Sequence, residues 1–148
     1  MLPDVIMTLI YEKLGDRVDD YLIPPPVFTS MQGEFLEVDL DEGILLTRFP
    51  VLREYLNPYG AVQGGMVAAA VDNTLGPLSM LVASPNVTRT LEMKYSRPVT
   101  PDLEFIIVKA KLKAREGQFL HFRAQVRDME GKLLARAKAT HWVIDERG

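Results

Sequence analysis

The chain has no cysteine, and only two histidines and one tryptophan occur in its 148 residues. The first absence removes disulfides, thiolate-bound zinc and cysteine nucleophiles together. His121 and His141 are too few for a histidine-rich metal cluster, so no structural metal is expected. A basic excess is missing as well: the formal net charge is -3, which gives no footprint for general nucleic-acid binding. No uninterrupted apolar run approaches the roughly 20 residues that a membrane helix needs. The start, MLPDVIMTL, lacks both a basic n-region and a small-residue cleavage site. The expectation is a cytoplasmic protein with neither nucleic acid nor membrane as a partner.

What remains is ordinary globular material, 47% hydrophobic and 25% charged, enough for one domain to bury a core unaided. Residues 1-148 read as that single domain, with 1-26 an N-terminal helix and proline arm and 27-145 the core. Charge is uneven along it. Residues 1-56 are acidic, whereas 87-115 carry Arg89, Lys94, Arg97, Lys109, Lys111, Lys113 and Arg115 against Glu92, Asp102 and Glu104. Such a segment is either a solvated strand face or a surface that meets a phosphate-bearing small ligand.

Leu2, Val5, Ile6, Leu9, Ile10 and Leu14 recur at helical spacing, with Pro3 in the first turn and Gly15 placed to end the helix. The run YLIPPPVF predicts an extended arm, because each proline fixes its own φ and disfavours helix in the residue before it. Two strands are expected at 27-39 and 44-50 around the turn signal DEG, then a loop containing NPYG and a helix from about Gly64. Four alternating segments follow, at 87-97, 103-115, 118-128 and 131-144, read as successive antiparallel strands. Their inward faces are Ile106, Val108, Ala110, Leu112 and Ala114, then Leu120, Phe122, Ala124 and Val126, then Leu133, Ala135, Ala137, Ala139, His141 and Val143. His141 reads as a core or interface histidine, and Trp142 as sheet packing on the other face. The whole predicts an α+β architecture, a curved antiparallel sheet wrapped around one long helix.

That helix carries an acid. At about 100° per residue Asp72 shares a face with Gly65, Ala68, Ala69, Gly76 and Ser79, while Met66, Val67, Ala70, Leu78 and Leu81 form the side expected to enter the sheet. Asp72 should then point away from the sheet along a stripe of small residues. A merely solvated face would mix lysine and glutamate, and this one does not. Gly64 and Gly65 stand where the helix begins, so their unpaired N-H groups suit an oxygen that gains negative charge. About 12 Å of helix axis separates Gly64 from Asp72, at 1.5 Å per residue. One carbonyl cannot meet both, so cooperation between them requires two subunits with antiparallel helices, a homodimer.

The stretch NPYGAVQGGMVAAAVDNTLG resembles the hotdog-fold acyl-CoA thioesterases of the phenylacetate-pathway, PaaI-like type. Their pattern is Asn, five residues, His-Gly-Gly, then Asp seven residues after the second glycine, matched here by Asn57, Gln63, Gly64, Gly65 and Asp72. TRTLEMKYSRP looks like the family strand ending in Tyr-x-x-Pro, here Tyr95 and Pro98. The resemblance implies a hotdog fold over about residues 27-145 and hydrolysis of an acyl-CoA or related thioester. It implies that the Gly64 N-H polarises the carbonyl and Asp72 of the other subunit acts as general base or nucleophile. Asn57 would position the thioester or water, and Thr88 would support the acid. Coenzyme A would be part of the substrate, with no separate cofactor, and the homodimer could pair into a homotetramer. Gly65, Arg97, Lys113 and Arg115 are the further candidates for substrate binding, the cations through coenzyme phosphates.

Two departures stand out. Gln63 replaces the family histidine; it can hydrogen-bond but cannot titrate near neutral pH. Pro77 removes a donor within the long helix and should kink it or end its regular part. Gln63 keeps open a second reading, a non-catalytic acyl-CoA or fatty-acyl binding module. An enoyl-thioester hydratase is disfavoured, since no histidine lies near Asp72 in sequence. A purely structural interaction domain would be favoured by a monomer in solution.

Overall fold

Ile6 and Ile10 fall on the inner face of α1 (Leu2–Leu14) and are buried in the same core as the sheet, and Gly15, at φ +56°, ends the helix as its sequence predicts. The computed structural model describes residues 2-144, without the side chains of residues 2-4. The expected contribution of Leu2 to the helix face and the core boundary at 145 therefore lie outside the described residues.

A short 3-10 helix, Gly15–Asp20, leads into the proline arm, and here the structure corrects the expectation. Residues 26-30 form a helix, α2 (Pro26–Ser30), and the first strand begins only at β1 (Glu34–Asp39), not at 27. The prolines fix φ near -65°, which suits a first helical turn as well as an extended chain, and Pro26 sits in that first turn. Phe28 then turns inward, stacking on Phe35 at 4.5 Å and meeting Phe49 edge-on at 5.6 Å. Gly33 passes directly beneath: a Cβ there would lie 2.6 Å from the Phe28 ring.

Further strands are β2 (Ile44–Pro50), β3 (Asn86–Tyr95), β4 (Phe105–Glu116), β5 (Phe119–Arg127) and β6 (Leu133–Val143). They form one antiparallel sheet in the order β1-β2-β4-β5-β6-β3. The four later strands are thus not a simple meander. β3 pairs with β6 at one edge, and the chain crosses to place β4 beside β2. The link between them holds Pro98 and Pro101 and is too long for a tight hairpin. It is tied down by Ser96 N-H and Arg97 N-H to the Leu134 carbonyl at 2.8 and 3.1 Å, and by Val62 N-H to the Val99 carbonyl at 2.8 Å.

The sheet wraps around α3 (Gly64–Val82), giving the hotdog fold. Val67, Ala70, Val71, Thr74, Leu75 and Leu78 are buried against it, so the inner face is rotated from the predicted one; Met66 and Leu81 are only half-buried. Thr47 of β2 and Thr74 of α3 bring their hydroxyls to 2.7 Å inside this core. Pro77 does not end the helix, which continues to Val82. Leu75 and Leu78 flank it fully buried, and their packing outweighs the lost donor. By length and composition α3 could cross a membrane, but its place against the sheet is that of a core helix.

The outer face of the sheet is cationic. Glu92, Lys138, Arg123 and Lys111 line up across β3, β6, β5 and β4, beside a second row of Lys94, Arg136, Gln125 and Lys109. Lys111 meets Glu42 at 3.5 Å.

Candidate active site

The loop before α3 is organised by Asn57. Its Oδ1 accepts Tyr59 N-H at 2.9 Å and Ala61 N-H at 3.1 Å, an Asx-type turn, and among the described residues the Nδ2 donors have no partner. Gln63 caps the helix through its backbone: its carbonyl takes Met66 N-H at 2.8 Å and Val67 N-H at 3.3 Å, and its own N-H goes to the Tyr55 carbonyl at 2.7 Å. Gly64 and Gly65 thus hold the first two N-H groups of the helix, and among the described residues neither has a backbone acceptor. The Gln63 side chain is exposed.

Tyr95, at the end of β3, donates its hydroxyl to the Gly64 carbonyl at 2.6 Å. Partial burial pushes its phenol pKa up, so the proton is retained at neutral pH. Asn57, Gly64, Tyr95, Arg97 and Leu134 share the wall of an open cavity of about 320 Å³. Asn57, Gly64 and Arg97 are therefore brought together. Gly65 is beside them but exposed, with nothing within 4 Å of where a Cβ would lie. Lys113 and Arg115 stand exposed on the far part of β4 and do not line this cavity.

Asp72 and Thr88 form a second group. Thr88 Oγ1 donates to Asp72 Oδ1 at 2.9 Å, which corrects the expectation that the acid points wholly away from the sheet. It sits on the less buried side of α3, with Ala68, Ala69 and Gly76, yet reaches the edge strand β3. Behind Thr88 lies His141, which is 2% exposed, its Nε2 3.4 Å from Thr88 Oγ1 and its Nδ1 2.7 Å from Asn86 Oδ1. Asn86 Nδ2 donates to the Ser79 and Ser84 carbonyls at 3.3 and 2.9 Å, so its Oδ1 is an acceptor and Nδ1 of His141 carries the proton. Neutral His141 then presents a lone pair to a hydroxyl whose one proton is already with Asp72, which accounts for the long 3.4 Å separation. Burial lowers the imidazole pKa, and the Asp72 charge pulls it the other way.

The sequence reading placed His141 in the core and it is there, but its connection to Asp72 through Thr88 was missed. The available signal was a lone polar residue on the alanine-rich inner face of β6.

No sequence-family model and no curated protein sequence matches the chain. Solved structures do. A phenylacetic acid degradation-related protein of Ralstonia eutropha JMP134, described as a candidate thioesterase, superposes at a TM-score of 0.77 over 91% of this chain and 98% of its own, with 26% identity. The PaaI protein of E. coli, from the phenylacetic acid degradation operon, gives 0.77 over 95% and 97% with 12% identity. A hypothetical thioesterase of Streptococcus pneumoniae TIGR4, solved with coenzyme A, gives 0.71 over 78% and 88% with 18% identity. The chain shares the hotdog fold with these structures, two of them named thioesterases.

Proposed function

Starting from a hotdog chain whose structural neighbours include thioesterases, we propose that this protein hydrolyses acyl-CoA thioesters, with Asp72 of one subunit and Gly64 of another forming each site. The observation that carries this reading is the Asp72 carboxylate held by Thr88 at 2.9 Å beside a stripe of small residues that lets a second helix approach. The axial distance to Gly64, about 12 Å, excludes a site within one chain. Tetramers would arise by pairing of such dimers.

Asp72 takes a proton from water, and the hydroxide adds to the thioester carbon. The carbonyl oxygen becomes an oxyanion, stabilised by the Gly64 N-H at the positive end of α3. Collapse of the tetrahedral species breaks the C-S bond, and the thiolate takes the proton that Asp72 removed from water, leaving as free coenzyme A and returning Asp72 to its carboxylate form. Direct attack by the carboxylate, giving an anhydride that water then opens, uses the same groups. Asn57, with Oδ1 committed to its turn, can offer only Nδ2-H to the carbonyl or to water. Thr88 orients the carboxylate. Gln63 can hydrogen-bond the thioester but move no proton, and Gly65 and Arg97 would serve the pantetheine and phosphates, whereas Lys113 and Arg115 lie away from the cavity that Gly64 lines.

The test is release of free thiol from a panel of acyl-CoAs of varied chain length, including aromatic acids. Asp72→Asn keeps an oxygen for Thr88 yet cannot act as the base, so turnover should fall by about 10²- to 10⁴-fold with binding retained. Full turnover in that variant removes Asp72 from the chemistry. Gln63 favours a second reading, a non-catalytic acyl-CoA binding module; binding across the panel without any thiol release would establish it. A hydratase remains disfavoured, because His141 is buried behind Thr88 where substrate cannot touch it.

A further inference from the structure

The hydrolytic steps give no task to His141, a buried titratable side chain on β6. Its neighbours on that inner face, Ala137, Ala139 and Val143, are small or apolar, and its ring lies 4.9 Å from that of Phe122. Packing there would be met by an apolar ring, which has no polar atom to bury. The imidazole is held by its Nδ1 instead. That nitrogen donates to Asn86 Oδ1 at 2.7 Å, and Asn86 is itself anchored on the Ser79 and Ser84 carbonyls. Nε2 is thereby kept as a lone pair, 3.4 Å from Thr88 Oγ1. Burial lowers the imidazole pKa against the upward pull of the Asp72 charge, so the lone pair persists at neutral pH.

Thr88 has one hydroxyl proton and two acceptors within reach. In the resting site the proton goes to Asp72 Oδ1 at 2.9 Å, because an ionised carboxylate is the stronger acceptor, and Nε2 has no donor. Once Asp72 has taken a proton from water its charge is gone, and the imidazole becomes the better acceptor of the two. Rotation about the Thr88 Cβ-Oγ1 bond then turns the hydroxyl proton toward Nε2, with no covalent bond changed. A buried acceptor that lacks a donor beside the carboxylate thus gains one beside the acid.

We propose that His141 is a positioning residue for the hydrolysis: through the Thr88 hydroxyl it stabilises the site after Asp72 has lost its charge. When the thiolate takes the proton from Asp72, the hydroxyl swings back to the carboxylate. Direct attack by Asp72 removes the same charge, so the swing serves either route. The inference rests on the reading of Asp72 as the group that activates water or attacks.

Two measurements test it. Nitrogen-15 NMR of the wild type, with His141 assigned by the signals lost in His141→Gln, should show the Nδ1-H tautomer at neutral pH. An Nε2-H tautomer would already be donating to Thr88 and overturns the inference. Thiol-release kinetics on the best acyl-CoA of the panel then compare the wild type with His141→Phe, His141→Gln, Thr88→Val and the double variant His141→Phe/Thr88→Val, each checked for folding by circular dichroism. His141→Phe keeps a ring but no acceptor, so kcat should fall about tenfold with KM unchanged, the effect of one hydrogen bond. His141→Gln can offer its amide oxygen to Thr88 and should recover part of that loss. Without the Thr88 hydroxyl the imidazole has nothing to act through, so the double variant should be no slower than Thr88→Val alone. Full kcat in His141→Phe, equal loss in the phenylalanine and glutamine variants, or losses that multiply in the double variant leave His141 only a packing role; any of them overturns the inference and leaves the hydrolase reading intact. Absence of thiol release by the wild type from every acyl-CoA removes that reading and the inference with it.

Discussion

Gly64 and Gly65 are neighbours in one helical turn, and alanine should act differently at each. At Gly64 a Cβ would stand 3.2 Å from Tyr95 Cζ and 3.3 Å from its hydroxyl, so the ring must yield by a few tenths of an ångström. Tyr95 is 51% exposed and can yield, but doing so stretches its 2.6 Å bond to the Gly64 carbonyl. Alanine gains about 0.5–1 kcal/mol in helix entropy. Loss of the tyrosine bond costs about 0.5–1.5 kcal/mol, so the two nearly offset. The melting temperature should move by no more than a few degrees. Activity should not be spared, because the new methyl and the displaced ring both line the cavity that holds the Gly64 N-H. Misplacing a carbonyl by about 1 Å costs up to 10²-fold, or about 2.7 kcal/mol. At Gly65 nothing lies within 4 Å, so alanine there leaves the fold of the chain undisturbed. Thiol-release kinetics with thermal melts of both variants make the comparison. A folded Gly64→Ala enzyme with wild-type kcat/KM would refute the assignment of that N-H to the thioester oxygen.

Thr88→Ala deletes the hydroxyl that orients Asp72, and since Thr88 is exposed the loss should be near the low end for a bond to a charged group, about tenfold in kcat/KM. Thr88→Ser should retain most of the activity, and equal loss in both variants would count against an orienting hydroxyl. His141 has a folded pKa below the ordinary imidazole value of about 6.5, so the unfolded chain binds more protons in that window and stability falls as pH drops from about 6.5 toward the folded pKa. Melting curves from neutral to mildly acid pH should show that slope, flattened in His141→Gln; His121 is present in both, so identical slopes would dismiss the effect. In the core, Thr74 donates to the Ala70 carbonyl and Thr47 in turn donates to Thr74. Thr74→Val strands a buried donor and should cost about 1–3 kcal/mol, and adding Thr47→Val should recover part of it. Chemical denaturation showing simple additivity would argue that the pair is uncoupled.

Much of this was legible from periodicity. The spacing of Ile6 and Ile10 gave α1, and the alternation of Leu120, Phe122, Ala124 and Val126 gave both β5 and its buried face. The resemblance of the Asn57, Gly64 and Asp72 spacing to the PaaI-like pattern marked the candidate site. A period of two tells which way a side chain points, however, and not which strand lies alongside, so the partner of β3 stayed hidden. His141 was obscured for the same reason: it reaches Asp72 only because Thr88 is paired with it across β3 and β6. The α2 turn escaped because a proline's φ serves helix and extended chain alike. The rotated face of α3 reflects Thr74, whose hydroxyl is satisfied by Thr47 and Ala70 and so can be buried as a polar side chain should not be otherwise.

The cationic outer face of the sheet bears on how copies of the chain can meet. Two molecules approaching back to back would bring Lys94, Lys109, Arg123, Arg136 and Lys138 against their own duplicates. Repulsion at that surface acts over about 10 Å at 0.1 M salt and over only about 3 Å at 1 M. The sheet thereby carries its own spacer on one side. At moderate ionic strength encounters are deflected toward the helix side and the β3 edge, and concentrated salt lowers the barrier to stacking.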